Sequence, residues 1–273
     1  MKYFRLLTNN TDRLVFVNKT ADKHFWDRRW NDNADWVKSI KNSKNINSPL
    51  IRRMRKYLPN KAVILEGGCG RGEILYLLHN LEYNITGVDY APETVAKLNK
   101  CFPQLKVQLG DVFNLKDFQD DSFDGYYSGG VIEHFWNGYN QISNEMYRVL
   151  KDGGYLFITF PYMSMSRRRL VKKLDIIDHN VCPEGFYQYA LPIHEVVTHF
   201  SKLGFSFESK LLRNGLRGLL DLYPNSHFVR NLYHKKSKSK LGKISRYLIS
   251  TIAAYLGYGH TCLLVFKKSK SKF

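Results

Sequence analysis

The chain has 273 residues, a hydrophobic share of 44%, an aromatic share of 14% and a formal net charge of +18. This composition fits a folded domain with additions rather than a disordered chain. It also excludes a helical membrane span, because no window approaches about 20 uninterrupted apolar residues. Met1–Val17 is polar and interrupted by charge, so it does not read as a signal peptide. The four cysteines, Cys69, Cys101, Cys182 and Cys262, lack metal-ligand spacing. They read as reduced thiols, and the expected location is the cytoplasm.

In chain order, residues 1–20 are polar and β-like, with no evident role. Residues 20–44 carry Phe25, Trp26, Trp30 and Trp36, which predict a small helical lid. Residues 48–58 predict a helix. Val63-Ile64-Leu65-Glu66 is a short apolar run ending in a carboxylate, and glycines then alternate at Gly68, Gly70 and Gly72. That order predicts a buried strand, a tight turn and a helix start. Ile74, Leu75, Leu77 and Leu78 give the following helix its apolar face. Asn84–Asp89 is a second strand closed by an acid, which suits a ribose diol because a carboxylate accepts two hydroxyl hydrogen bonds. Leu105–Val112 predicts a third strand carrying Asp111, and Ser122–Ser128 a fourth leading into Gly129-Gly130-Val131-Ile132-Glu133-His134. A helix over Ile142–Leu150, Lys151-Asp152-Gly153-Gly154 and the strand Tyr155–Phe160 follow. Beyond a basic, aromatic connection at 162–191 come a helix at 192–204 and a strand at Phe205–Leu212. An insertion at 214–258 precedes the last strand, Gly259–Lys268, and a frayed tail.

The segments LEGGCGRG, GVDYAP, LGDV, DDSFDGYYSGGVIEH and MYRVLKDGGYLFITFP occur in this order over roughly residues 60–165. Together they resemble a class I S-adenosylmethionine-dependent methyltransferase. A nicotinamide-binding turn places its third glycine three residues after the second, whereas the spacing here is two. The resemblance implies a doubly wound, Rossmann-like α/β sheet of about seven strands with the last strand antiparallel. It implies S-adenosyl-L-methionine as cofactor and S-adenosyl-L-homocysteine as product. Three units are expected: an N-terminal segment with the lid at 1–59, the cofactor-binding domain at 60–213 and 259–268, and a basic cap at 214–258. By resemblance Glu66 sits near the methionine ammonium, Asp89 takes the ribose, Asp111 takes the adenine amino group and the Val112 backbone reads the ring edge. Gly67, Gly68, Cys69, Gly70, Tyr90 and Ser128 complete the expected cofactor site. His134 is the candidate general base, with Glu133 as an alternative base or as its orienting partner. A lone histidine is also often structural. No metal is implied.

The acceptor is read as an oxygen of a glycan, lipid-linked or small-molecule substrate. Residues 161–273 hold 20 of the 42 lysines and arginines but six of the 24 acids. Such a surface suits anionic partners, including a peripheral contact with anionic membrane. Two other classes stay open. A nucleic-acid (RNA) methyltransferase would suit the charge, but no Asn/Asp-Pro-Pro-Tyr element follows the fourth strand. A catalytically silent cofactor-binding module is disfavoured by the intact glycine turn and acids. Within the insertion, Ile244, Leu248, Ile252, Tyr255 and Leu256 share one helical face. That face is expected to pack on the fold as a pocket wall, with membrane contact through Lys235, Lys236, Lys238, Lys240, Lys243 and Arg246 as the alternative. The sequence gives no oligomeric state.

Overall fold

The short apolar runs become the strands of one twisted sheet. The computed structural model describes residues 2–8, 11–31, 35–43, 46, 48–223, 225–234 and 239–269. In chain order the first elements are β1 (Lys2–Thr8), β2 (Thr11–Val17), α1 (Lys23–Asn31), α2 (Trp36–Lys41), α3 (Pro49–Tyr57), β3 (Val63–Gly67), α4 (Glu73–His79), β4 (Asn84–Asp89), α5 (Pro92–Cys101), β5 (Lys106–Leu109) and β6 (Phe123–Gly129). There follow α6 (Asn140–Val149), β7 (Leu150–Pro161), α7 (Met165–Val171), β8 (Phe186–Ala190), α8 (Ile193–Lys202), β9 (Phe205–Arg213), α9 (Gly215–Leu222), α10 (His227–His234), α11 (Lys240–Ala253) and β10 (Thr261–Lys268).

The main sheet has the order β5-β4-β3-β6-β7-β10-β9. β10 pairs antiparallel with both β7 and β9, so it alone runs against the others. This is the doubly wound, Rossmann-like α/β sheet expected from the sequence. The chain leaves β3 towards β4 on one side and returns to β6 on the other. That reversal opens a crevice at the carboxyl ends of β3 and β6, where such sheets bind ligands. Central strands are apolar on both faces because helices cover both: Ile64, Leu65, Phe157 and Ile158 are fully buried. Burying one such side chain contributes about 1.5–3 kcal/mol. α3 starts cleanly because the Ser48 hydroxyl accepts from the Ile51 amide and Pro49 takes the first helical position.

A second sheet, β1-β2-β8, was not anticipated. It joins the chain's polar opening to the 162–191 connection, with Leu14 opposite Ala190 and Val15 opposite Tyr189. An Arg13–Glu195 ion pair ties it to α8. β1 and β2 form a local hairpin, but the partners of β2 and β8 lie 169 to 176 residues apart, so no local pattern announces that pairing. Trp36 also departs from expectation. It is 1% exposed and stacks on Phe102 in the core, away from the other lid tryptophans.

The insertion forms α9, α10 and α11. α9 packs backbone to backbone on α11 because Gly215 has no side chain: a Cβ there would strike the Ser250 carbonyl and the Ala254 amide. α11 lies differently from expectation. Its apolar face does not pack on the fold: Ile244 is 48% exposed, Leu248 52% and Ile252 58%. The polar face turns inward instead. Lys235, Lys236 and Lys238 lie outside the described residues, as does most of the C-terminal tail.

Candidate active site

The glycine turn between β3 and α4 holds Gly68, Gly70 and Gly72 at positive φ of 73°, 51° and 70°. Residues with a Cβ rarely adopt that conformation. The turn's amides are engaged within the protein. Those of Gly68 and Cys69 donate to the Val88 carbonyl at 2.8 and 3.0 Å. That of Gly70 donates to Asp89 Oδ2 at 2.7 Å, and that of Gly72 to the Cys69 carbonyl. Asp89 Oδ1 accepts from the Ala91 amide at 3.0 Å. Each Asp89 oxygen keeps a further lone pair for a hydroxyl donor. Burial raises the Asp89 pKa, against the bonds from Ala91 and Gly70.

Gly68, Gly70, Asp89, Tyr90, Asp111, Val112 and His134 line one pocket at this crevice. Asp111 Oδ1 accepts from the Phe113 amide, and Phe113 packs edge-on against Phe135 at 4.7 Å on the same wall. The Tyr90 hydroxyl donates to the Ala21 carbonyl, joining the end of β4 to the approach to α1. Glu66, Gly67, Cys69 and Ser128 do not line the pocket but sit behind it. Glu66 and Ser128 are buried, and Glu66 Oε2 and Ser128 Oγ have no hydrogen-bond partner. Burial holds the Glu66 carboxyl well above its usual range, against a bond from the Leu75 backbone. The Cys69 thiol faces the core, where a Cβ on Gly87 would meet it at 2.9 Å.

Trp26 and Trp30 of α1 also line the pocket. Their rings stack at 5.3 Å, and Trp30 covers Gly70, where a Cβ would meet the indole at 3.2 Å. α1 is anchored by Asp27, which is 4% exposed. Asp27 Oδ1 accepts from both the Thr94 amide and the Thr94 hydroxyl at 2.9 Å, capping the first turn of α5 from a different helix. The composition of 20–44 signalled the aromatic cover but not this anchor.

His134 stands in a one-turn 3-10 helix after β6, with Trp26 edge-on to its ring at 5.0 Å. Its Nδ1 lies 2.6 Å from the Tyr187 carbonyl, an acceptor only, so Nδ1 carries the proton and neutral Nε2 keeps a lone pair. Burial lowers the His134 pKa to about 4, against the Tyr187 bond, and nearby Arg29 lowers it further. The orienting partner is therefore Tyr187, not Glu133. Glu133 is 2% exposed, sits under Gly130 and leaves Oε2 without a partner. Burial pushes its pKa up to about 8, so it is protonated at neutral pH. Tyr187 is a site residue the sequence reading passed over, because only the β2–β8 pairing brings it to His134.

Residues 65–158 match the model of the methyltransferase domain family. A probable S-adenosylmethionine-dependent methyltransferase from Mycolicibacterium smegmatis is 33% identical over 98 residues, which are 36% of this chain and 37% of that protein. One from Mycobacterium tuberculosis is 31% identical over 98 residues, 36% and 35% of the two chains. The chain thus spans little more than a third of the curated relatives it matches. Among solved structures, a SAM-dependent methyltransferase from Archaeoglobus fulgidus aligns with TM-score 0.55 at 17% identity, covering 85% of this chain and 98% of that one. One from Mesorhizobium loti aligns with TM-score 0.54 at 15% identity, covering 84% and 100%. The fold is that of the class I S-adenosylmethionine-dependent methyltransferases, and residues 65–158 are the part that matches the methyltransferase domain family. The cofactor this domain implies is S-adenosyl-L-methionine.

The residues fit that group. The saturated turn amides and the Asp89 carboxylate disfavour a pyrophosphate, which needs free amides and no facing anion. They suit a nucleoside that brings hydroxyl donors. The orphaned Glu66 Oε2 is a buried acceptor suited to an ammonium donor.

Proposed function

We propose that this chain is an S-adenosyl-L-methionine-dependent methyltransferase that methylates an oxygen of a glycan, lipid-linked or small-molecule acceptor. The observation that carries the reading is the glycine turn, whose amides are spent on Val88 and Asp89 while the carboxylate keeps lone pairs for a diol. Asp89 holds the ribose, Asp111 and Val112 the adenine, and Glu66 the amino group. Trp26 and Trp30 cover the nucleoside and exclude water. When bound, the cofactor supplies a sulfonium-activated methyl group and leaves as S-adenosyl-L-homocysteine. His134 Nε2 takes the acceptor hydroxyl proton, its ring held by the Tyr187 carbonyl. Isothermal titration tests the core of the reading: S-adenosyl-L-homocysteine binds and NADH does not. Binding of NADH alone would overturn it.

The exposed α11 face supports a peripheral contact with anionic membrane. Leu241, Ile244, Leu248 and Ile252 are all exposed on α11, in a half of the chain with 20 lysines and arginines against six acids. Its 14 residues extend about 21 Å, too short for a hydrocarbon core of about 30 Å, so the helix would lie in the interface. A second copy of this chain would bring like charge against like, whereas an anionic surface is complementary. Flotation with anionic but not neutral vesicles is expected. Its absence with both would remove the membrane contact and leave the methyltransferase reading intact.

A further inference from the structure

A second, larger cleft of about 1740 Å³ lies on the other side of α1. One wall is α1, through Phe25, Arg28 and Arg29. The opposite wall is α9 and α11, through Arg217, Lys243 and Arg246. With Lys19, six lysines and arginines line it against a single carboxylate, Asp221. That carboxylate is already shared. Arg167 Nη2 and Arg217 Nε donate to it at 3.0 Å each, and His260 Nδ1 lies at 2.7 Å. Arg167 is itself 2% exposed, so a buried guanidinium stands behind the cleft floor. Lys19, Arg28 and Lys243 are exposed and make no ion pair among the described residues. The cleft is therefore strongly positive, with its one acid neutralised.

Its other lining is amides and aromatics: Asn18, Gln188 and Asn214 beside Tyr187, Tyr233 and Tyr247. Amides pair with hydroxyls, and aromatic faces take the apolar side of a polyol ring. Tyr187 also joins the two sites. Its ring packs on His134 at 5.1 Å and on Phe25 at 5.7 Å. One aromatic layer of Phe25, Trp26, Tyr187 and His134 thus separates the basic cleft from the cofactor pocket.

We propose that this cleft binds the acceptor through a phosphate or pyrophosphate group, which makes the acceptor a phosphate-bearing polyol. The role as acceptor rests on the methyltransferase reading; the anion site does not. Guanidinium groups pair with phosphate oxygens in a bidentate fork, and opposed walls of arginine and lysine suit a group with oxygens on several sides. The cleft volume exceeds the roughly 300–1,000 Å³ of a pocket for a drug-sized ligand. That leaves room for the glycan or lipid stem attached to the phosphate. The exposed apolar face of α11 lies on the same helix whose inner face supplies Lys243 and Arg246, so a lipid-borne phosphate could enter from the membrane side.

The test is titration of inorganic pyrophosphate into the full chain at low salt, in parallel with S-adenosyl-L-homocysteine. Wild type is expected to bind pyrophosphate. The triple variant Lys19→Gln, Arg28→Gln, Lys243→Gln is expected to lose at least tenfold in that affinity while homocysteine-nucleoside affinity stays within about threefold. A charge-matched variant away from the cleft, Lys116→Gln, Lys172→Gln, Lys173→Gln, is expected to behave as wild type. Vesicles carrying phosphatidic acid form the second arm. Pyrophosphate binding marks a soluble phosphate-bearing acceptor. Cleft-dependent vesicle binding without pyrophosphate binding marks a lipid-borne phosphate. Equal losses in the two triple variants, or no binding of either probe, would overturn the proposal. So would single-stranded RNA binding that depends on the cleft without either phosphate probe. If pyrophosphate binds in the cleft and the nucleoside does not bind at all, the anion site stands and the methyltransferase reading fails.

Discussion

Asp27→Ala separates a covering role of α1 from simple packing. Asp27 Oδ1 accepts two hydrogen bonds from Thr94, and their burial makes Asp27 the polar anchor of α1 on α5. A hydrogen bond to a charged group contributes about 1.5–3 kcal/mol, and an acid at a helix N-terminus a further ~0.3–1 kcal/mol. Water would solvate the Thr94 amide once α1 lifts, so roughly 2 kcal/mol of docking energy is lost. If the stacked Trp26 and Trp30 cover the bound nucleoside, that loss appears in affinity as a roughly 30-fold weaker S-adenosyl-L-homocysteine complex. The measurement is isothermal titration of wild type and Asp27→Ala, with hydrogen exchange over residues 23–31 as the report of undocking. Direct electrostatics predict the opposite sign. The Asp27 charge helps raise the pKa of Asp89, so its removal favours the ionised Asp89 carboxylate. Faster exchange with unchanged or tighter nucleoside binding would refute the cover and leave α1 as a packed helix.

If Asp89 holds the ribose, Asp89→Ala removes that acceptor and the anchor of the Gly70 amide together, and should weaken S-adenosyl-L-homocysteine by about 1–3 kcal/mol in the same titration. Gly70→Ala places a Cβ at a left-handed position, 3.2 Å from the Trp30 ring. A cost of about 1–2 kcal/mol, or roughly tenfold in affinity, is expected, and unchanged affinity would mean that the turn does not shape the pocket. Glu133→Gln tests the buried acid. Its folded pKa of about 8 lies above the ordinary value of 4.5, so its stabilising contribution is complete below pH 4.5 and is lost as pH rises through 8. Thermal melts from pH 5 to 9 should slope down more for wild type than for Glu133→Gln, by on the order of 4 kcal/mol, and parallel slopes would refute the assignment. His134 has the reverse sign: depressed from 6.5 to about 4, its stabilising contribution is full above pH 6.5 and fades as pH falls towards 4. An NMR titration of its ring should place the midpoint near 4, and a midpoint near 6.5 would mean that Nε2 faces open solvent.

The cofactor half was legible because its signals are local. Glycines at alternating positions, an acid at each strand end and apolar runs of strand length all follow from constraints within a few residues of one another. Asp89, Asp111 and His134 could be placed at the sheet's carboxyl edge on that basis, and all three line one pocket. What was not legible depends on contacts far apart in the chain. Asp27 meets Thr94 across 67 residues, and His134 meets the Tyr187 carbonyl across 53. Sequence proximity offers Glu133 as an alternative base or an orienting partner for His134, whereas the bond that holds the ring comes from the distant Tyr187 carbonyl. α11 shows the same limit in another form. Its pattern fixed a helix with one apolar face but could not say which face meets the protein. A hydrophobic face is buried by default because burial contributes about 25 cal/mol per Å². Here Gly215 and Ser250 bring the polar face inward instead, where Arg246 bonds the Tyr233 carbonyl and Lys243 lines the cleft. Leaving Ile244, Leu248 and Ile252 in water forgoes that contribution within the isolated chain. An inward turn of the basic face is intelligible if both faces have partners, an anion within the cleft and an apolar surface outside it.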